Sequence, residues 1–349
     1  MTQRMSWQVM LDESEESGRQ AAEVLQGKLH TVPSAEDQES WREEIQELAD
    51  RIPAQHMTHH LLRRLEKHKF RIGSGLSFHR YMVEDSETRK LRIKSLNWSL
   101  NGKTVAYRFV DALGVRRPRT SVESAKLEQV SWQYPGVLKA VSATGSRGCY
   151  LLFAEDEAVH VRDGRRFDSQ EELISHARRL MKPARVQGWP DRWVMEELIL
   201  EDAKEGTPAR DMKFFCFYGE VLFSLEVVRN QGESQYSFRS PDGVPIKPGS
   251  WEYNYFEGRG PTGEMLDLVS NISSEIPHPF MRIDMLCGED EIVFGEFTPR
   301  PGTFQKFDSE WDRRMGEAWA RAEERIQRDL LSGKRFDAFL SATNVYGAF

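Results

Sequence analysis

Asp284 and Glu296 are the two side chains of this sequence with the plainest chemical potential. They lie in residues 281–302, which read as two short strands around a polar turn. Arg282 to Leu286 form the first strand, Gly288 to Asp290 the turn, and Ile292, Val293 and Phe294 an apolar run ending at Gly295-Glu296. Side chains on one face of such a hairpin lie beside their cross-strand partners, so the two acids are expected to meet at one end of the ribbon. Adjacent carboxylates repel, and burial sharpens the repulsion unless a cation lies between them. A hard divalent cation such as Mg²⁺ takes one or two carboxylates and keeps positions for phosphate oxygens. On spacing alone, solvated turn and strand-end acids read the same way.

Other segments supply cations and backbone donors. Gly136 to Val141 and Cys149 to Phe153 read as strands joined by a small-residue loop, Ser142 to Gly148. Such a loop has little side-chain bulk and can bring backbone N–H groups against phosphate oxygens, and Lys139 on the preceding strand adds positive charge. The spacing is not GxxxxGK[ST], and the loop enters a strand rather than a helix, so it is no P-loop. An ordinary hairpin is the alternative. Residues 211–228 read as a hairpin turning at Tyr218-Gly219-Glu220, where Lys213 interrupts an apolar face as either an edge residue or a ligand contact. His56 and His60 are four apart on an expected helix over 56–69 and would share a face. No third ligand stands at zinc spacing, so a solvated face is expected there. No Ser-His-Asp order or reactive-cysteine setting competes.

These residues need a frame. The first 95 residues differ from the rest: an acidic stretch from Asp12, a helix over 34–52 with Ser40 as its cap, the helix over 56–69, and a basic run over 69–95 that includes Arg92 and Lys94. That run is expected as solvated surface, with an electrostatic site for an anionic substrate as the alternative. A helix then follows Asn101-Gly102-Lys103, with Val105, Phe109 and Val110 inward and Gly114 as its stop. Ser169 to Met181 is a helix with acids first and arginines last, as the helix dipole favours. A strand over 193–199, a polar loop over 201–210, an irregular stretch over 229–260, helices over 263–276 and 309–331 and a tail over 332–349 complete the chain. Trp251, Tyr253 and Arg259 make the irregular stretch a candidate acceptor-lining loop or a plain surface excursion.

The chain has 349 residues, 39% hydrophobic, enough for two or three domains or subdomains. A net charge of −7 gives no global attraction to nucleic acid. No apolar run suits a membrane span or a signal peptide. Three scattered cysteines make neither a disulfide framework nor a CxxC pair, which fits a cytoplasmic location.

Together the pieces resemble an ATP-grasp protein, and most closely the TupA-like ATP-grasp family tied to teichuronopeptide-type surface polymers. Asp211-Met212-Lys213-Phe214-Phe215-Cys216-Phe217-Tyr218-Gly219 is similar to that family's DYKFFCFNG stretch. Arg282-x-Asp284 and Gly295-Glu296-Phe297-Thr298 are similar to its RxD…GE(L/F)T ending, and Glu310-Trp311-Asp312 with Gly316 to its downstream helix. The resemblance covers about residues 96–320. It implies an α+β fold in which two subdomains, 96–192 with the flap and 193–332 with the hinge and metal hairpin, clamp a nucleotide. A mainly helical region, 1–95, precedes them, and 333–349 is a C-terminal tail. It further implies ATP and Mg²⁺ as cofactors. Lys139 and the flap residues Thr144, Gly145, Ser146 and Gly148 would cover the phosphates, with Lys103 assisting. Glu196, Glu197 and Leu198 would form the hinge at adenine and ribose. Lys213 and Arg282 would contact phosphates or an acyl-phosphate, and Asp284 and Glu296 would hold the metal. Thr298 stands where many ATP-grasp enzymes place an asparagine ligand, and a hydroxyl is the poorer metal ligand. Arg300 is a further candidate, because its fork of donors suits a carboxylate or phosphate.

The expected activity is an ATP-dependent carboxylate–amine ligase, ADP-forming, acting through an acyl-phosphate in natural-product or surface-polymer biosynthesis. Phosphoryl transfer is mostly positioning and charge neutralisation, which lysines, an arginine and Mg²⁺ supply without a nucleophilic side chain. Its partners would be small-molecule carboxylates and amines or amino acids, with a homodimer left open. The alternatives are a kinase use of the same fold on a hydroxyl or sugar, and a nucleotide-binding scaffold without turnover.

Overall fold

A computed structural model describes residues 7–343 except 32, 35, 92–95, 122, 144, 183–187, 231–232, 250–253 and 303. The expectations attached to Arg92, Lys94, Thr144, Trp251 and Tyr253 therefore lie outside the described residues. Two compact units divide the chain: Met1–Glu84 with Ser309–Glu317, and Asp85–Asp308 with Ala318–Phe349.

The helices α1 (Trp7–Lys28), α2 (Gln38–Arg51), α3 (His59–Lys67) and α4 (Phe78–Lys90) lead the chain. Leu25, Ile45, Ala49, Leu61 and Leu65 form the centre of the first unit's core. Ser40 is not the cap of α2: that position is Asp37, and Ser40 lies inside the helix. Thr58 caps α3 by accepting from the Leu61 N–H. His56 stands before that cap in a 3₁₀ turn, so His56 and His60 share no helix face. Part of the basic run over 69–95 is helical, as α4.

The second unit holds α5 (Lys103–Ala112), which ends at Gly114 with φ +70°. Next come β1 (Gly136–Ala140), β2 (Cys149–Ala154), β3 (Glu157–His160), β4 (Arg166–Phe167), α6 (Gln170–Met181) and β5 (Trp193–Glu196). These strands make an antiparallel sheet in the order β4-β3-β2-β1-β5. Its inward side chains, Leu138, Tyr150, Leu152 and Trp193, pack against Leu173 and Ala177 of α6. Ser169 caps α6 through the Glu172 N–H.

Residues 201–210, expected as a loop, carry a short hairpin of β6 (Leu200–Asp202) and β7 (Thr207–Pro208). The second large sheet follows: β8 (Arg210–Phe217), β9 (Glu220–Asn230), β10 (Glu233–Arg239), then α7 (Gly263–Ser274), β11 (Met281–Cys287) and β12 (Ile292–Thr298). Its order is β10-β9-β8-β11-β12, so β8 is the central strand and is buried from Met212 to Phe217. Burial on both faces explains why its sequence is a continuous apolar run rather than an alternation. At the β8–β9 turn Tyr218 and Gly219 have φ of 43° and 85°. A two-residue hairpin of this kind needs that conformation, and glycine supplies it without strain. β10 lies within the stretch expected to be irregular.

The chain ends with α8 (Ser309–Leu331) and α9 (Asp337–Thr343). The expected tail thus contains a helix. Seven residues are too few to show a helical period in sequence. Phe339 of α9 is fully buried, its ring 6.1 Å from that of Phe109 on α5. Phe339→Ala should therefore cost about 3–5 kcal/mol of unfolding free energy in urea titration. A loss under about 1 kcal/mol would show that α9 is not part of the core.

Candidate active site

β8 and β11 pair in a register that sets Lys213 opposite Asp284. β11 and β12 pair so that Asp284 faces Glu296 and Arg282 faces Thr298. After Asp284 the register shifts around Gly295, where a Cβ would come within 3.0 Å of the Asp284 carbonyl oxygen. The bulge sits beside Glu296, and such a kink re-aims the neighbouring side chains. Lys213 is not an edge residue. Its ammonium donates to both oxygens of Asp211 and to Asp284 Oδ2, each at 2.7 Å. Arg282 grips Asp284 with two bonds, Nε to Oδ1 and Nη2 to Oδ2, both 2.7 Å, and Nη2 also donates to Thr298 Oγ1 at 2.8 Å.

Burial alone would raise the Asp284 carboxyl, but Arg282 and Lys213 outweigh it and hold the group at about 2. Glu296 behaves oppositely. Its side chain keeps 57% of its surface open to solvent, and the nearest Arg282 nitrogen is 3.7 Å away. Protein crowding around its carboxyl, and then the charge of Asp284, raise it above the usual carboxylate range. Two cations against Asp211, Asp284 and Glu296 leave this cluster one formal negative charge.

A second cluster carries the opposite sign. Lys103 at the start of α5 donates to Glu196 Oε1 at 2.6 Å, and Lys139 on β1 donates to Glu196 Oε2. Val137 pairs with Glu196 across β1 and β5, and Lys139, two residues on, shares its face. The Glu196 side chain is 1% exposed. Burial would raise its carboxyl, yet Lys139 and Lys103 hold it at about 2. Burial and the charge of Lys139 lower the Lys103 ammonium, whereas for Lys139 the attraction of Glu196 overcomes burial and raises it. Two ammonium groups share one carboxylate, so one positive charge is left over.

The loop from β1 to β2 has Gly145 at φ +63° and Ser146 at φ +59°. Gly148 is required by space, since a Cβ there would meet that of Ala140 at 2.6 Å. At the end of β5 the expected hinge acids are engaged elsewhere. Glu196 lies on the lysines. Glu197 accepts from Arg116 at 3.0 Å, from the Arg119 side chain at 2.9 Å and from the Arg119 N–H at 3.0 Å. The Glu196 side chain is closed to solvent, that of Glu197 keeps 19% of its surface exposed, and Leu198 is buried beside them. Arg300 is held at Ser86 Oγ, 3.0 Å, and over the Trp98 ring.

A family model described as TupA-like ATPgrasp matches residues 84–320. The chain belongs to the TupA-like ATP-grasp family. Among solved structures it is similar to the ATP-grasp ligase PsnB complexed with a minimal precursor, at 11% identity over 83% of this chain and 74% of that one, TM-score 0.35. It is also similar to the D-alanine–D-alanine ligase from Bacillus anthracis, at 14% identity over 70% and 76%, TM-score 0.41. A third is PsnB with minimal precursor, Mg and ADP, at 11% identity over 84% and 75%, TM-score 0.34. No curated protein matches. These structural likenesses are distant, and membership rests on the family match.

An ATP-grasp chain calls for Mg²⁺ beside its nucleotide. Glu296 suits that ion, since it is open and its cluster lacks one positive charge. Asp284 pairs with it in the register, but both of its oxygens already accept from Arg282 and Lys213, so it would have to exchange one of those bonds for the ion. Thr298 suits it less, because its hydroxyl accepts from Arg282. Two residues of the site had been given no role. Asp211 shares a strand face with Lys213, and the i, i+2 spacing was the available signal. Tyr107 lies one helical turn after Lys103. Its hydroxyl is 3.5 Å from Glu196 Oε1, and its ring packs on Phe294 of β12 at 6.3 Å.

Asp284→Ala leaves two buried cations facing each other and should cost about 3–5 kcal/mol in urea unfolding. Glu296 has the opposite sign. A raised folded-state pKa means that its ionised form disfavours the fold above that pKa. Glu296→Gln should therefore raise the ligand-free thermal midpoint at pH 7, and the advantage should vanish below about pH 4, where Glu296 is protonated. A lower midpoint at pH 7 would contradict this electrostatic reading.

Proposed function

We propose that the protein is an ATP-dependent, ADP-forming carboxylate–amine ligase that works through an acyl-phosphate. The observation that carries this reading is the pair of clusters with opposite excess charge. One suits phosphate oxygens and the other a divalent cation, in a chain of the ATP-grasp family.

In this reading Lys139 and Lys103 bind phosphate oxygens that compete with Glu196, with Gly145, Ser146 and Gly148 contributing from the flap and Thr144 assigned to it from the sequence alone. The backbone around Glu196, Glu197 and Leu198 borders the base. Asp284 and Glu296 would hold Mg²⁺, which supplies charge neutralisation between phosphate oxygens. Lys213 and Arg282, already fixed by Asp211 and Asp284, orient toward the transferring phosphoryl group, and Arg300 would bind a substrate carboxylate. A carboxylate oxygen attacks the γ-phosphorus as the bond to the ADP oxygen breaks. An amine nitrogen then attacks the acyl carbon, the C–N bond forms, phosphate leaves with the C–O electron pair, and the amine proton passes to phosphate or solvent. The substrates fall in the class used to build surface polymers or natural products. Among the described residues no helix is long and apolar enough to cross a membrane.

The test is product analysis with Mg²⁺-ATP, pooled carboxylic acids and hydroxylamine. The ligase reading expects ADP together with a hydroxamate, and neither from Glu296→Gln. ADP with a stable phosphorylated product and no hydroxamate would replace it with a kinase. Lys139→Ala should weaken ATP binding at least about tenfold, or ~1.4 kcal/mol, in calorimetry. Unchanged affinity would remove Lys139 from the phosphate site.

A further inference from the structure

The flap-bearing sheet holds a second set of ligating side chains that plays no part in the chemistry above. His160 ends β3, Asp163 lies in the turn that follows, and His176 projects from α6. One ligand atom from each lies within 4.8 Å of the others. His160 and His176 are 1% and 7% exposed, and Asp163 opens to solvent.

The partners of these side chains fix which atoms are available. His160 Nε2 is 3.0 Å from the Arg147 carbonyl oxygen, which can only accept, so Nε2 carries a proton and Nδ1 faces Asp163 Oδ1 at 2.8 Å. His176 Nδ1 is 2.9 Å from the Tyr150 hydroxyl, leaving Nε2 for a ligand. Asp163 Oδ1 accepts from the Arg165 N–H at 3.1 Å. Each side chain thus has the outer hydrogen bond that typically orients a metal ligand, with the imidazoles held by a carbonyl and a hydroxyl. Burial, and then the neighbouring His160, lower the His176 pKa, which favours the neutral imidazole a metal requires. In Asp163 the hydrogen bonds from Arg165 and His160 overcome burial and favour the ionised carboxylate.

We propose that His160, Asp163 and His176 form a zinc site that fastens the flap to its sheet. Two imidazoles and one carboxylate suit Zn²⁺, with water in the fourth position on the open Asp163 side. In the ion-free arrangement a proton bridges His160 and Asp163. Ligands at zinc distance on a tetrahedron stand about 3.3 Å apart, so on binding the bridging proton would leave to solvent, the 2.8 Å His160–Asp163 pair would open, and the wider separations of the set, within 4.8 Å, would close around the ion. Because His160 also holds the Arg147 carbonyl, the ion would fix the end of the flap.

The experiment is a zinc titration of the chelator-treated full chain against a chromophoric competitor, read with the thermal midpoint. The expected result is one ion per chain whose affinity drops at least tenfold in both Asp163→Ala and His176→Gln. It is retained in His60→Gln, which controls for the other histidine-rich segment. Asp163 is half exposed, the ion-free midpoint of its variant reports that it folds, and zinc should raise the midpoint of the wild type but not of that variant. Two results would overturn the proposal: no binding at free zinc up to about 100 µM, ~5.5 kcal/mol of affinity, or equal affinity in wild type and both site variants. Either would leave the His160–Asp163 pair bridged by a proton only.

Discussion

The interaction on which the second unit depends is the buried ion network at the middle of the β8–β11 pair. Lys213, Asp284 and Arg282 are all largely withdrawn from water, and each would be costly alone. The cost is offset because Asp284 accepts from both cations and Lys213 is also held by Asp211. The Phe-rich strand around Lys213 then follows as a requirement. Phe214, Phe215, Phe217 and Phe223 are all buried around it, with the rings of Phe215 and Phe223 stacked at 4.3 Å.

A network so well paired would be inert if it were complete, and it is not. Glu296 lies at its rim with a carboxylate that nothing fully neutralises, while Lys103, Lys139 and Glu196 hold a surplus of positive charge on the other sheet. α5 ties the two together. It starts at Lys103, brings Tyr107 to Glu196, and packs Tyr107 and Phe109 against Phe294 and Phe297 of β12. Tyr107 thus touches the Glu196 cluster on one side and β12 on the other. The excess charges are the property through which a phosphate-bearing, cation-bound ligand would stabilise the fold.

Much of this was legible in the sequence, for identifiable reasons. The β11–β12 hairpin and the β8–β9 hairpin are local, and their turn chemistry and apolar runs announce them. The meeting of Asp284 and Glu296 followed from the period of two along a strand. The β8–β11 pairing, which brings Lys213 to Asp284, spans 71 residues of chain, and no local pattern encodes a contact of that range. The engagement of Glu197 by Arg116 and Arg119 was hidden for the same reason. β10 and α9 went unread because one lies among turn-forming residues and the other is shorter than two helical periods. The cap of α2 shows a smaller limit: Asp37 and Ser40 are both good cap residue types, and residue type alone does not choose between them; the helix starts after Asp37.

On the proposed function, Asp284 and Glu296 would form one half of a cation site whose other half arrives with the nucleotide. Electron paramagnetic resonance of Mn²⁺, titrated with and without a non-hydrolysable ATP analogue, tests it directly. Tight Mn²⁺ binding should need the analogue, weaken at least about tenfold, or ~1.4 kcal/mol, in Glu296→Gln, and survive in Glu264→Gln, an exposed acid in the first turn of α7. Binding that is as tight in Glu296→Gln as in the wild type, or that ignores the nucleotide, would contradict it.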